Sequence, residues 1–340
     1  MPKIVITGGA GFIGSHIAYH VRNQFPAHQL VIFDKMTYAA DVRNIQDLTA
    51  AGDAELVIGD VCDFDLACNV VAGADYVVHA AAESHVDNSF GNSLLFTRTN
   101  VYGTHTILEA CRRMGVKRIV HVSTDEVYGE VRTGAADETT FLNPTNPYSA
   151  SKAGAEMVIS GYLHSYRMPI VTARGNNIYG IRQYPEKIIP RFAMLLDCGK
   201  KLTVYGSGKN RRHYLAAEDF AAAIVLLMRR GEIGGIYNIG SEDEFENIEI
   251  AGMIADIFGH ALEDVIDFVP DRPFNDWRYA IDSSRIRALG WAPQHRLVDD
   301  LAGVVQWYRD NRARFQRLVC DIAGQATDIG TGLQTGTQTP

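Results

Sequence analysis

Lys3-Ile4-Val5-Ile6-Thr7-Gly8-Gly9-Ala10-Gly11-Phe12-Ile13-Gly14 is the stretch from which the fold is read. A short β-branched run passes directly into glycines at 8, 11 and 14, and then into apolar positions at helical spacing from Gly14 to Val21. Glycines so spaced permit a tight turn, close approach of backbone to a pyrophosphate, and packing of the helix on a sheet. The unpaired N–H groups and partial positive charge of the helix start then face the phosphates. The strand before and the helix after make this glycine pattern informative. Twenty residues past Gly14, Asp34 ends the next apolar run, where a carboxylate binds a ribose diol and repels a 2′-phosphate. NAD therefore fits better than NADP, although Lys35 and Arg43 stand nearby. Asp60-Val61, after the third run, is placed at the adenine edge.

Further runs at Leu30–Phe33, Leu56–Ile58, Tyr76–His79 and Arg118–Val122 are short, β-branched and bounded by Gly, Asp or Ser. Such runs read as strands buried on both faces. They alternate with helical patterns such as Thr99 to Met114, which argues for right-handed βαβ units and an α/β, Rossmann-type doubly wound parallel sheet. After Pro169 the elements shorten and polar loops dominate. Residues 1–170 are expected to form the NAD-binding domain, with segments from about 171–180 and 210–240 returning to it. Residues 181–320 are expected to form mainly a smaller, interleaved substrate lobe. Residues 324–340, rich in Gly, Thr and Gln, read as a tail without fixed structure.

The 340 residues carry 32 Lys and Arg against 40 Asp and Glu, a net charge of −8, with 46% hydrophobic and 21% charged residues. This is an ordinary globular composition and no basic stripe is present, so a nucleic-acid partner is not expected. No run of eighteen apolar residues suggests a membrane span. The N-terminus lacks a signal-peptide layout. Cysteines at 62, 68, 111, 198 and 320 suit reduced thiols in a cytoplasmic protein, and their spacing gives no metal site.

Tyr148-Ser149-Ala150-Ser151-Lys152 sets a phenol and an ammonium four residues apart, on one face of a helix. Bringing a phenol from near 10 to about 7 takes roughly 4 kcal/mol of phenolate stabilisation, for which Lys152 and a positive nicotinamide ring are the expected sources. Ser123-Thr124 ends a strand at the sheet edge where ligands of such folds bind.

These motifs resemble the extended short-chain dehydrogenase/reductase family, over roughly residues 3 to 315, and within it the nucleotide-diphosphate-glucose 4,6-dehydratases. The likeness rests on the glycine turn, Asp34–Tyr38, Ala81–Asp87, Ser123–Gly129, Pro147–Lys152 and Tyr184–Lys187. The adjacent acids Asp125-Glu126 discriminate, because expelling water across C5–C6 of a 4-keto sugar needs a base and an acid with separated pKa values. The resemblance implies a hydro-lyase with tightly bound NAD, in which Tyr148, assisted by Thr124 and Lys152, deprotonates the 4-hydroxyl. Glu126 removes the C5 proton, neutral Asp125 protonates the departing 6-hydroxyl, and hydride returns to C6. It also implies cofactor contacts from Gly8, Gly11, Phe12, Ile13, Gly14, Asp34, Lys35 and Thr37. Asp60, Val61, Ala80, Ala81, Ala82, Thr99, Tyr148 and Lys152 complete that set.

On the substrate side, the resemblance points to Ser84, Thr124, Asn177, Lys187, Ile188, Thr203, Tyr205, Arg212, Asn247, Arg272 and Asn275. Arg212 and Arg272 suit a diphosphate clamp, because guanidinium forks pair with phosphate oxygens. Tyr205 suits packing against the base. Two features depart from the bacterial thymidine pattern: Ile178 after Asn176-Asn177, and Phe274-Asn275 where that pattern has Gly-His. They look more like plant UDP-glucose 4,6-dehydratase domains. The nucleobase stays open between thymidine and uridine, with dTDP-glucose slightly favoured. Alternatives are a 4-epimerase or decarboxylase of the same fold and, in another class, a non-catalytic NAD-binding regulatory protein. A homodimer through helices at Asn100–Met114 and Tyr148–His164 is implied. His79, His121 and His213 read as strand-end or surface residues, and Trp277, Trp291 and Trp307 as packing.

Overall fold

In a computed structural model, residues 1–271 and 274–315 are described; Arg272, Cys320 and the tail expected at 324–340 lie outside the described residues. The β-branched runs become a seven-stranded, wholly parallel sheet from β1 (Lys3–Thr7), β2 (Gln29–Asp34), β3 (Glu55–Ile58), β4 (Tyr76–His79), β5 (Arg118–Thr124), β6 (Ile170–Gly175) and, after an excursion, Ile236–Ile239. That excursion carries β7 (Asn177–Tyr179), β8 (Leu202–Tyr205) and β9 (Arg211–Ala216), so Ile236–Ile239 is β10; β11 (Glu244–Glu246) and β12 (Ile266–Val269) follow. The sheet order is β10-β6-β5-β4-β1-β2-β3. The chain winds outward from β1 to β3 and restarts at β4 on the other side of β1. The carboxyl ends of β1 and β4 therefore flank the switch point at which ligands bind in open sheets.

Strand residues of alternate parity feed two cores. Ile4, Ile6 and Ile32 pack beneath the helices Phe12–Gln24 and Ala217–Arg230. Val5, Val31 and Ile119 face the helices Phe64–Val71, Gly103–Met114 and Pro147–Tyr166. Each fully buried aliphatic side chain contributes about 1.5–3 kcal/mol, so the sheet is the rigid frame of the molecule. The exception is β3, expected to be buried on both faces. It is the sheet edge, and Ile58 is 64% exposed.

Two small sheets, β11-β9-β7 and β12-β8, stand beside this frame. The helices Ile188–Asp197, Asn247–Ile257 and Leu297–Asp310 close around Phe192, Leu195, Ile254 and Leu301 to give a separate core. His79 does end β4, where it is buried. Three other sequence readings need correction: His121 is buried in the middle of β5, His213 is half-buried within β9, and Trp277 is 40% exposed rather than packed. Among the described residues no helix is long and apolar enough to cross a membrane, and no cluster of His, Cys, Asp and Glu is placed to hold a metal ion.

Candidate active site

The glycine turn leaves β1 and enters the helix at Phe12. Gly8 takes φ +69°, a left-handed conformation, and a Cβ there would stand 2.7 Å from the backbone of Ala81. A Cβ on Gly14 would stand 2.1 Å from the Gly8 carbonyl oxygen. The helix N-cap, Gly11, offers no side-chain acceptor, so the leading N–H groups remain for a ligand. Asp34, buried at the end of β2, accepts from Ala10 N at 3.0 Å and Met36 N at 2.8 Å, which locks the turn to the neighbouring strand. Lys35 pairs with Asp60 at 2.8 Å.

A cleft of ≈ 260 Å³ runs from this turn along the strand ends, and every residue expected at the cofactor lines it. The backbone cradle, which side chains would fill, and the carboxylate at the ribose position fit an NAD-sized dinucleotide. Thr99 reaches the cleft from a π-helical turn, Thr97–Tyr102, that precedes the helix Gly103–Met114. In the same turn, Asn100 is buried. Its amide accepts from Glu83 N at 2.8 Å and donates to Glu83 O at 2.9 Å and Ser151 Oγ at 2.8 Å, tying the cleft wall to the helix Pro147–Tyr166.

That helix starts with a capping box. Asn146 accepts from Ser149 N at 2.9 Å, and Pro147 occupies the first position, where its missing N–H costs nothing. The cap fixes Tyr148 in the first turn and Lys152 one turn later, both buried. Tyr148 hydrogen-bonds Thr124. Lys152 Nζ donates to the Val122 carbonyl oxygen at 2.6 Å, and burial lowers the ammonium to about 8. The depressed phenol expected from Lys152 does not arise from the protein's own residues: burial and the Glu126 charge hold Tyr148 above its usual range.

Asp125 and Glu126 follow β5 in a short 3-10 turn, Asp125–Tyr128, for which Thr124 is the N-cap, accepting from Glu126 N at 3.3 Å. Asp125 is 2% exposed. It accepts from Asn176 Nδ2 at 2.7 Å and Thr124 Oγ1 at 3.3 Å. Burial, and then the Glu126 charge, push its carboxyl up to about 7. Burial also raises Glu126, but Lys187, Arg212 and a hydrogen bond from Asn146 oppose the shift. The two carboxyls therefore sit in different surroundings: burial raises both, the Glu126 charge raises Asp125 further, and Lys187 and Asn146 oppose the rise at Glu126.

A second pocket of ≈ 150 Å³ opens beyond Glu126 and is lined by Asn177, Lys187, Ile188, Thr203, Tyr205, Arg212, Asn247 and Asn275. Glu126, Asn177, Glu186 and Lys187 line both cavities, so the reactive carboxylate stands at their junction. Ser84 and Thr124 line the first cleft. Arg212 differs from expectation. It lies over the Tyr279 ring at 4.6 Å, and its donors go to the carbonyl oxygens of Arg211 at 2.7 Å and Asp276 at 3.0 Å, and to Asn275 Oδ1 at 3.3 Å. Part of its hydrogen-bonding capacity therefore holds the Asn275–Trp277 loop.

Sequence reading missed Asn146, Asn176, Glu186, Arg191, Asp276 and Tyr279, which also line these cavities. Asn146-Pro147 with Ser149 was a readable cap signal. Asn176 and Glu186 stand beside the expected Asn177 and Lys187, whereas Arg191, Asp276 and Tyr279 carry no local pattern. Glu186 is pushed up to about 7 by burial.

Residues 5–302 match the family model described as GDP-mannose 4,6 dehydratase. The chain is 45% identical over 317 residues to a trifunctional UDP-glucose 4,6-dehydratase/3,5-epimerase/reductase of Arabidopsis thaliana, covering 91% of this chain and 48% of that protein. It thus spans about half the length of the plant relatives it matches. A dTDP-glucose 4,6-dehydratase of Streptomyces niveus is 42% identical over 335 residues, covering 96% of this chain and 99% of the relative. Among solved structures, a dTDP-glucose 4,6-dehydratase of Streptomyces venezuelae crystallised with NAD superposes with a TM-score of 0.90 at 40% identity, covering 93% of this chain and 99% of that one.

Proposed function

The chain belongs to the GDP-mannose 4,6-dehydratase family, and on that premise we propose that it is an NAD-dependent hydro-lyase converting a nucleoside-diphosphate glucose, with uridine or thymidine as the nucleoside, to the 4-keto-6-deoxy sugar. The observation that carries this reading is the adjacent Asp125–Glu126 pair between the two cavities, with Asp125 facing Asn176 and Glu126 facing Asn146 and lining both cavities.

The glycine turn, Asp34 and the Ala80–Ala82 wall would hold NAD, which supplies when bound a two-electron acceptor for the C4 hydrogen that later returns it to C6. Tyr148 takes the proton of the 4-hydroxyl and Thr124 orients it. Burial and the Glu126 charge disfavour the Tyr148 phenolate, and the positive ring of NAD held beside it would supply the opposing charge. Once C4 is a ketone, the C5 hydrogen is acidic, and Glu126 accepts it. The electron pair left at C5 closes a C5–C6 double bond as the C6–O bond breaks, and the oxygen leaves as water with the Asp125 proton. Glu126 returns its proton to C5 as C6 is reduced. The diphosphate is placed at the start of the helix Ile188–Asp197, whose N-cap Lys187 supplies no side-chain cap, beside Lys187 and Arg212.

A homodimer is part of the proposal. The elements around the helix Pro147–Tyr166 expose Leu94 (82%), Tyr102 (53%) and Met157 (60%), an apolar face suited to a second copy. Incubation with UDP-, dTDP- and CDP-glucose and GDP-mannose in parallel, followed by mass analysis, tests the function. Loss of one water from a glucose nucleotide is expected. Isomerisation without mass change, or loss of carbon dioxide from a uronic acid analogue instead, overturns it.

A further inference from the structure

The helix Phe12–Gln24, which begins at the glycine turn, carries His16 one turn past Phe12, the two rings meeting edge to face at 5.5 Å. His16 is 2% exposed. Its Nδ1 lies 2.9 Å from Glu218 Oε1, in the first turn of the helix Ala217–Arg230, and its Nε2 lies 3.1 Å from the Ile181 carbonyl oxygen. A carbonyl oxygen and a carboxylate accept hydrogen bonds and donate none. The hydrogen bond from His16 draws the Glu218 carboxyl below its usual range, so this partner is a carboxylate at neutral pH. Both ring nitrogens therefore donate, and the ring that satisfies both partners is the imidazolium. A neutral imidazole has one N–H and would set a bare nitrogen against an acceptor.

The Ile181 end of this clamp bears on the site. Residues 180–187 join β7 to the helix Ile188–Asp197, and from them Gln183, Tyr184, Glu186 and Lys187 line the cofactor cleft. Glu186 and Lys187 also line the second pocket. Arg182, next to Ile181, takes φ +69°, a left-handed conformation that a non-glycine residue adopts only when its neighbours hold it there. It donates to Asn44 O at 3.1 Å and lies over the Tyr19 ring at 4.7 Å. Tyr308 Oη donates to Gln183 O at 2.8 Å. Arginine stays charged throughout the working range, and burial raises the Tyr308 phenol above its usual range. Of these ties, the one through His16 is the one whose proton count changes near neutral pH. The charged and titratable groups around the ring are Glu218, Arg182 from the loop, and His20 one turn along its own helix, where burial lowers the second imidazole. Asp219, beside Glu218, is engaged by His295 at 3.1 Å.

We propose that His16, donating from both ring nitrogens as a cation, is a positioning residue for the substrate: it clamps residues 180–187 to the cofactor helix, and the clamp loosens when the ring loses one proton. The grip is complete at low pH and is lost as pH rises. This inference rests on the nucleotide-sugar reading above, which sets the substrate against Glu186 and Lys187.

Two measurements on the full chain test it. Nitrogen NMR of 15N-histidine-labelled protein, with H16Q to identify the signals, reads the proton count. Both His16 nitrogens should carry protons at about pH 6, and one proton should leave at higher pH. In E218Q the amide can donate to a bare Nδ1, so the ring should be neutral where the wild-type ring is charged, with both partners kept. A single proton on the wild-type ring at about pH 6 would overturn the inference. Affinity for UDP-glucose and dTDP-glucose is then measured in the NAD-loaded Y148F background, so that the ligand is not consumed. H16Q, whose amide donates from one nitrogen only, should weaken binding by about 2–10-fold, the worth of one hydrogen bond. Between about pH 6 and about pH 8, affinity in E218Q should gain about 2–10-fold relative to the unmodified clamp. That ratio cancels Asp125 and Glu186, each pushed up to about 7 in both proteins. A ratio that stays flat with pH would overturn the proposal, as would an H16Q chain whose only change is a lower melting midpoint. If neither glucose nucleotide binds, the nucleotide-sugar reading fails, and the NMR signal still decides the charge on His16.

Discussion

Asp125 and Glu126 differ by one methylene and one chain position, yet the first faces Asn176 and the second faces Asn146 and Lys187, with Arg212 acting on both. Their adjacency was plain in the sequence. The division of labour was not, because Asn146, Asn176 and Lys187, which enforce it, come from helix and strand ends 20, 51 and 61 positions away. Asp125 is held neutral up to about 7, so its acid role is intact below that pH and is lost as pH rises through it. Water elimination should accordingly fall above about pH 7. The D125N/E126Q variant should oxidise C4 while losing elimination by about 10²–10⁴-fold, the usual worth of positioned acid–base groups. Rapid-quench analysis of the 4-keto intermediate checks this, and elimination at the wild-type rate would remove both acids from the mechanism. Y148F should instead stop the reaction before C4 oxidation; unchanged hydrogen transfer from C4 would take Tyr148 out of the base role.

Among the elements, the glycine turn was legible because its constraint is steric and local: Gly8 and Gly14 have no room for a side chain, and Gly8 takes a left-handed turn. The π-helical turn at Thr97–Tyr102 was not, since its sequence reads as uninterrupted helix and only tertiary packing of Asn100 between Glu83 and Ser151 explains it. The same holds for the buried network under the catalytic strand. Glu156 accepts from Ser123 Oγ at 2.6 Å and from Arg174 Nε at 3.0 Å, and Arg174 Nη1 donates to Tyr128 Oη at 2.6 Å. The carboxylate and the guanidinium are 6% and 3% exposed. Removing one partner would strand the other's charge in the interior, so E156A should lose about 3–5 kcal/mol of stability. Denaturant unfolding reads this directly, and a loss under about 1 kcal/mol would mean that the network is incidental.

For the molecule as a whole, alternating buried runs announced a parallel sheet, and the order reversal at β1 and β4 placed the cleft. What the pattern did not reveal was how the second lobe meets the first. Its strands are short, and the loops Asn210 and Asn275–Trp277 are joined by contacts such as Asn210 Nδ2 to Asp276 O at 3.1 Å, which have no period. The exposed Leu94, Tyr102 and Met157 give a prediction at this scale. Light scattering after size exclusion should report a dimer, and the Y102E/M157E variant a folded monomer. A wild-type monomer at micromolar concentration would refute the proposed assembly.

The account depends most on one hydrogen leaving C4 and returning to C6 within a single turnover. Nucleoside-diphosphate glucose deuterated at C4 should yield a product whose new methyl group carries one deuterium, read by NMR or mass spectrometry. A methyl group with only protium, with the label kept at C4 or lost to solvent, would contradict it.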